Sequence, residues 1–312
     1  MNVFRATEAW LKEGRISSLP SSEGEMSEIV TLVLLNYLGL PTKGPIGSAL
    51  RGAFRLPARR FSRLFVEMDN ILGREGSRAA ARWIVSRFFP ALQVSGSEYL
   101  RKSGPLLIVA NHPGTFDFFA VAASLPRDDL KIMARGYPFL RALPSASQHM
   151  IFTELDIQAR MTAAREAIRH LRAGGVLLVF PGGGMEPDPA CLPGAVAAVD
   201  AWSASPEILL RCVPDAQVHV AALSGFLERK NARHPLARLP RGPYERQIVA
   251  ETLQMIGHLV FNRKVAQGPR LAYSPPFEAS ALADRSGHVF PRIIQIAHET
   301  LAQVSPVPGA VG

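Results

Sequence analysis

Cysteine is nearly absent: Cys191 and Cys212 are the only two in 312 residues. They fit neither a disulfide framework nor a cysteine-based zinc cluster, so both are expected to be structural thiols in a reducing cytoplasm. Long apolar runs are also missing. The most apolar stretch, Ile29 to Leu40, is interrupted by Thr31 and Asn36 and falls short of the roughly 20 residues that a membrane-spanning helix needs. The first twenty residues include Glu8, Lys12, Glu13 and Arg15, so no secretory signal is expected there. No helix-turn-helix, zinc-finger or aromatic RNA-binding pattern is present, which argues against nucleic acid as a partner. His149, His170, His219, His234, His258, His288 and His298 are scattered without metal-ligand spacing, and no metal site is expected.

Acidic residues are the scarcer charge, 26 against 35 basic, giving a net charge of +9. An anionic membrane surface or an anionic substrate would complement that excess. With 47% apolar and 20% charged residues the chain is globular rather than disordered. From Ala49 to Phe65 five arginines interleave with bulky apolar groups, the pattern of a basic amphipathic helix. It is consistent with a helix lying in a membrane interface, or with one packed on its own domain and wetting its basic face. Pro57 is expected to kink or end it. A first amphipathic helix is expected from Met1 to about Pro20, followed by a polar linker from Ser17 to Ser27.

Short apolar runs recur at Leu106–Ala110, Leu130–Ala134, Val176–Phe180, Val218–Leu223 and Arg270–Tyr273. Helical patterns separate several of them, most clearly Met161–Ala173, closed by Gly174-Gly175. Strand–helix alternation predicts an α/β fold, a mostly parallel central sheet flanked by helices on both faces, with an N-terminal helical extension. The expected division is a helical region over 1–90, an α/β domain over 91–305 ending in a helix at Val289–Val304, and a flexible tail over 306–312. The run from Arg229 to Arg241 reads as a solvated loop, and Trp83 and Trp202 as core.

Two strand ends carry chemistry. The first is Val109-Ala110-Asn111-His112-Pro113-Gly114-Thr115-Phe116-Asp117. A histidine able to accept a proton and an aspartate able to hold its ring are the parts of a general-base dyad. In open α/β sheets ligands bind at the carboxyl edge, where this loop is expected. The second is Val179-Phe180-Pro181-Gly182-Gly183-Gly184-Met185-Glu186. Consecutive glycines let a backbone turn tightly and aim N–H groups at an anion or a developing oxyanion. No Gly-Lys-Ser/Thr follows, and the glycines are not spaced as in a dinucleotide fingerprint.

In this order, Asn-His-x-x-x-x-Asp after one strand and Phe-Pro-x-Gly after another, the chain resembles the glycerolipid acyltransferases, which acylate lysophosphatidic acid or glycerol 3-phosphate. The resemblance extends to Arg135 after its strand, Ile151-Phe152, and Leu192-Pro193-Gly194-Ala195, over roughly residues 90 to 300. It implies transfer of an acyl group from acyl-CoA or acyl carrier protein, a co-substrate rather than a cofactor, to a hydroxyl of a lipid or glycerol-type acceptor. His112 would be the general base and Asp117 its orienting partner. Asn111, Gly114, Thr115, Arg135, Phe180, Pro181, Gly182, Gly183 and Gly184 would line the substrate site. It further implies a cytoplasmic enzyme, peripheral on the inner face of the membrane. The family's Phe-Pro-Glu-Gly-Thr-Arg stands here with Gly182 for its acid and Met185 for its arginine, and its Ile-Asp-Arg as Thr153-Glu154-Leu155. Two expected grips on an acceptor phosphate are therefore missing, with Arg135 or Arg160 left to compensate. A thioesterase-like hydrolase, and a non-catalytic membrane-associated lipid-binding protein on the same fold, are the alternatives.

Overall fold

The computed structural model describes residues 23–154, 156–240, 242–278 and 288–305. The expected helix before Pro20 and the tail over 306–312 lie outside these residues, as does Leu155. Eight strands form one mixed sheet: β1 (Gln93–Ser95), β2 (Leu106–Ala110), β3 (Leu130–Arg135), β4 (Met150–Thr153), β5 (Val176–Val179), β6 (Gln217–Ser224), β7 (Arg270–Tyr273) and β8 (Phe277–Glu278). The order is β1-β7-β6-β2-β5-β3-β4, with β8 pairing β6. The five strands from β6 to β4 are mutually parallel.

The apolar runs form strands because both faces of the sheet are covered. All five residues of β2 and all four of β5 are buried. Alternate side chains go to opposite layers, as the two-residue period of a strand requires. Leu106, Ile108, Ala110 and Leu178 face one core with the helices Gly44–Glu75, Ser77–Phe88 and Asp117–Ser124. Leu107, Val109, Leu177 and Val179 face the other, with Ile157–Arg172, Ser205–Cys212 and Phe290–Val304.

Two readings of the sequence need correction. The segment expected to be a linker is helical from Glu23, which opens a helix ending at Tyr37. Pro57 does not end its helix: Gly44–Glu75 runs through it for 32 residues, about 48 Å at 1.5 Å per residue. Pro57 and Ala58 are buried there, and Phe65, Met68, Ile71 and Leu72 continue into the sheet's core, so packing offsets the lost backbone donor. The apolar face of this basic segment is thus used inside the protein. Arg59 and Arg63 bond Glu23, and Arg60 bonds the carbonyls of Leu259 and Val260. The sheet is mostly parallel, as expected, and within it β7 runs antiparallel to β6, with Ser224 opposite Arg270.

That reversal has a topological consequence. The chain leaves β6 at the sheet's carboxyl edge and re-enters β7 at the same edge. The intervening segment, which includes the helix Pro243–Phe261, is therefore delivered to the edge that carries the strand-end loops. Among the described residues no helix is long and apolar enough to cross a membrane. Leu178, fully buried in the central layer, reports on this core. Leu178→Ala is expected to lower unfolding stability by about 2–5 kcal/mol, measured as a shift in the urea midpoint.

Candidate active site

Because β2, β5 and β6 are parallel neighbours, His112, Phe180 and Phe226 emerge side by side at one edge. Asn111 fixes the first exit. Its amide donates to the Leu223 carbonyl at 2.9 Å and its oxygen accepts from the Leu223 N–H at 2.8 Å, extending the β2–β6 pairing by a side chain. The loop then turns, and Asp117 begins the helix Asp117–Ser124. Asp117 is fully buried, and its Oδ2 lies 2.6 Å from His112 Nδ1 and accepts the Gly114 N–H at 3.1 Å. The helix N-terminus adds a favourable field for its negative charge.

The imidazole is 24% exposed and its ring stacks on Phe180, centroids 4.5 Å apart. With Nδ1 engaged, Nε2 is left to face a substrate. Burial, the largest single influence on this ring, lowers its pKa. The charge and hydrogen bond of Asp117, assisted by Glu186 and Glu251, outweigh it, and the net displacement is upward.

The glycine loop differs from its expected role in one respect. Gly183 adopts φ of +70° and donates its N–H to the Phe180 carbonyl at 3.0 Å, closing a turn. Its donor is spent on the turn and is not offered to an oxyanion. Gly182 makes room for a carboxyl: a Cβ there would lie 2.1 Å from Glu186 Oε1. Glu186 is buried, accepts the Trp202 indole N–H at 2.9 Å, and donates its backbone N–H to the His112 carbonyl at 2.7 Å. Four residues after the glycine that replaces the expected acid, a carboxyl thus returns to the same place. Desolvation pushes it up to about 7 despite the indole's opposing hydrogen bond. Trp202, read as core, is buried and also holds this group.

Sequence reasoning missed Glu251, Gln247 and Asp188. Glu251, on Pro243–Phe261, accepts the Thr115 hydroxyl at 2.8 Å and its N–H at 3.2 Å. Gln247, one turn earlier, donates to the Pro113 carbonyl at 2.8 Å and to Glu251 at 3.1 Å. Asp188 accepts the N–H groups of Gly225, Phe226 and Leu227 at 2.7 to 2.9 Å, tying the glycine loop to the exit of β6. Gly114 sits where a Cβ would come within 2.9 Å of Phe226 Cβ. No short motif announces these contacts, since each joins residues far apart in the chain.

Arg135 ends β3 opposite Thr153 of β4, two strands along the sheet from β2 and so roughly 10 Å from the dyad's strand. Arg141 crosses Gly136 to pair with Glu154 at 2.7 Å, while Arg160 is exposed on its helix. On the same side of the sheet as Asp117–Ser124, a small apolar pocket is lined by Phe65, Met68, Phe118, Phe119, Ala122 and Leu143 among others.

Residues 91–209 match the family model described as Acyltransferase. Among solved structures, the chain is similar to the 1-acyl-sn-glycerophosphate (LPA) acyltransferase PlsC from Thermotoga maritima. The two share 16% identity over 89% of this chain and 97% of that one, with a TM-score of 0.42. A search of the curated proteins gives no match. His112, Asp117 and the glycine loop all lie within the stretch that matches this family model.

Proposed function

We propose that the protein transfers a fatty acyl group from an acyl thioester to a hydroxyl of a lipid or glycerol-type acceptor, with His112 as general base. The observation that carries this reading is the 2.6 Å contact of His112 Nδ1 with buried Asp117, which leaves Nε2 open beside Phe180. An alcohol is too weak an acid to attack at neutral pH unless a base takes its proton in the transition state. Here Nε2 takes that proton as the alcohol oxygen bonds to the thioester carbon. Asp117 holds the ring in one tautomer and stabilises the imidazolium. Collapse of the tetrahedral intermediate breaks the C–S bond, and the imidazolium returns the proton to the leaving thiolate. The attacking oxygen belongs to the acceptor, so no protein nucleophile is involved.

The apolar lining of the pocket at Phe118 and Phe119 matches a hydrocarbon tail in chemistry, and seating one requires these side chains to move apart. The donor in this reading is acyl-CoA or acyl carrier protein. The acceptor carries its polar group without the two loop arginines expected of phosphate recognition, which favours a neutral alcohol or one gripped from Arg135 outward. An anionic membrane surface would present such an acceptor, and exposed Arg55 and Arg63 on Gly44–Glu75 supply complementary charge.

Five outcomes test the proposal. His112→Ala should abolish acyl transfer from acyl-CoA across a panel of lysolipids, glycerol 3-phosphate and neutral alcohols, while thermal unfolding is unchanged; turnover at the parent rate would refute the dyad. Because the base must be neutral and its pKa is raised, activity should fall as pH drops through a value above 6.5. Asp117→Asn should move that acid limb downward and cut kcat. Ala122→Leu, which fills part of the cavity, should shift kcat/KM toward shorter acyl thioesters. Glu in place of both Arg55 and Arg63 should weaken sedimentation with phosphatidylglycerol vesicles but not with neutral ones.

A further inference from the structure

The loop that joins His112 to Asp117 is held from outside the acyltransferase-family stretch. Thr115 lies midway along it, and both of its polar hydrogens point at one carboxyl group, that of Glu251. Gln247 bonds the other oxygen of the same carboxyl and also the Pro113 carbonyl. Three donors converge on Glu251, and two loop residues, Pro113 and Thr115, are bonded from one helix face. Residues 247 and 251 are one turn apart, so a single rigid element grips both. Gly114, between the two gripped residues, presents its N–H to Asp117 Oδ2. A shift of Thr115 or Pro113 would swing that donor away from the dyad's carboxylate.

We propose that Glu251 is a positioning residue for the acyl-transfer reaction: its carboxylate, braced by Gln247, locks the 113–115 loop so that Asp117 keeps His112 aligned. The assignment rests on the reading of His112 as general base. Only a carboxylate satisfies the arrangement fully, because an amide at 251 has one accepting oxygen for donors that arrive at two. The charges facing His112 are Asp117 from its own loop, Glu186 from the glycine loop and Glu251 from Pro243–Phe261. Facing Glu251 are His112, the neutral donors Thr115 and Gln247, and the Cys191 thiol, which desolvation keeps protonated. Desolvation pushes Glu251 up to about 7 against those hydrogen bonds, so the clamp carries its full charge only above neutral pH.

Glu251→Gln in the full-length protein tests this. The expected result is a fall in kcat of about tenfold to a hundredfold, the scale of one lost charge-assisted hydrogen bond, with KM for the acyl thioester little changed. The acid limb of the pH–rate profile should move to lower pH, since a negative charge beside the imidazole has gone; a purely structural role would not move it. Thr115→Val leaves the helix intact and covers the case of a poorly folded Glu251 variant. It should lower kcat in the same sense, and the double variant should be less impaired than the product of the two single effects. Parent-like kcat and an unmoved acid limb in both single variants, with His112→Ala inactive, would overturn the role of Glu251 alone. Retained activity in His112→Ala would overturn the dyad and this assignment together.

Discussion

A carboxylate removed wholly from water is costly unless its charge is met at short range. Asp117 is such a group, and the site is arranged around meeting it. Two donors reach its Oδ2, the His112 ring and the Gly114 N–H, and the first turn of Asp117–Ser124 adds its dipole. Each of these requires the loop to be tight. Gly114 approaches Phe226 closely, and Asn111 is pinned to β6 before the turn begins. The imidazole gains a fixed orientation from the same contacts that make the buried charge tolerable, so stability and chemistry share one set of bonds.

Around this pair stand two further carboxyls, Glu186 and Glu251, each displaced to about 7 by desolvation. Glu186 and Glu251 both face the imidazole, so their charges and its own are coupled. The imidazole's displacement is the result: it is less exposed than in water yet harder to deprotonate. The two outer acids also have mechanical roles. Glu186 joins the glycine loop to the His112 backbone and Trp202, and Glu251 joins the dyad loop to Pro243–Phe261. Charge and bracing arrive through the same side chains.

How much of this could be read from the sequence follows from how local each signal is. β2 and β7 were legible to the residue, because a strand buried on both faces writes itself as an uninterrupted apolar run. β1 and β8 were not, being three and two residues long with exposed positions. His112 with Asp117, and Phe180 through Gly184, were legible because each lies in one loop with its chemistry adjacent. The persistence of Gly44–Glu75 through Pro57 was not, since the packing around it comes from helices elsewhere in the chain, Glu23–Tyr37, Ser77–Phe88 and Pro243–Phe261. Glu186 stood in plain view beside the glycines, but its return to the space above Gly182 depends on the absence of a side chain there and on Trp202.

Glu251 was the least legible of all, and the reason is the direction of one strand. Were β7 parallel to β6, the connecting segment would have to cross to the opposite edge of the sheet, and Pro243–Phe261 could not remain beside the dyad. The antiparallel pairing keeps that excursion at the carboxyl edge throughout. The consequence reaches back into residues 91–209, which match the family model but do not complete the site alone. Asn111 needs Leu223, Asp188 needs the N–H groups of Gly225 to Leu227, and Thr115 needs Glu251. The loop bearing the base is therefore a joint product of two distant parts of the chain: the buried strands that end beside it, and one helix of 19 residues that carries both Gln247 and Glu251.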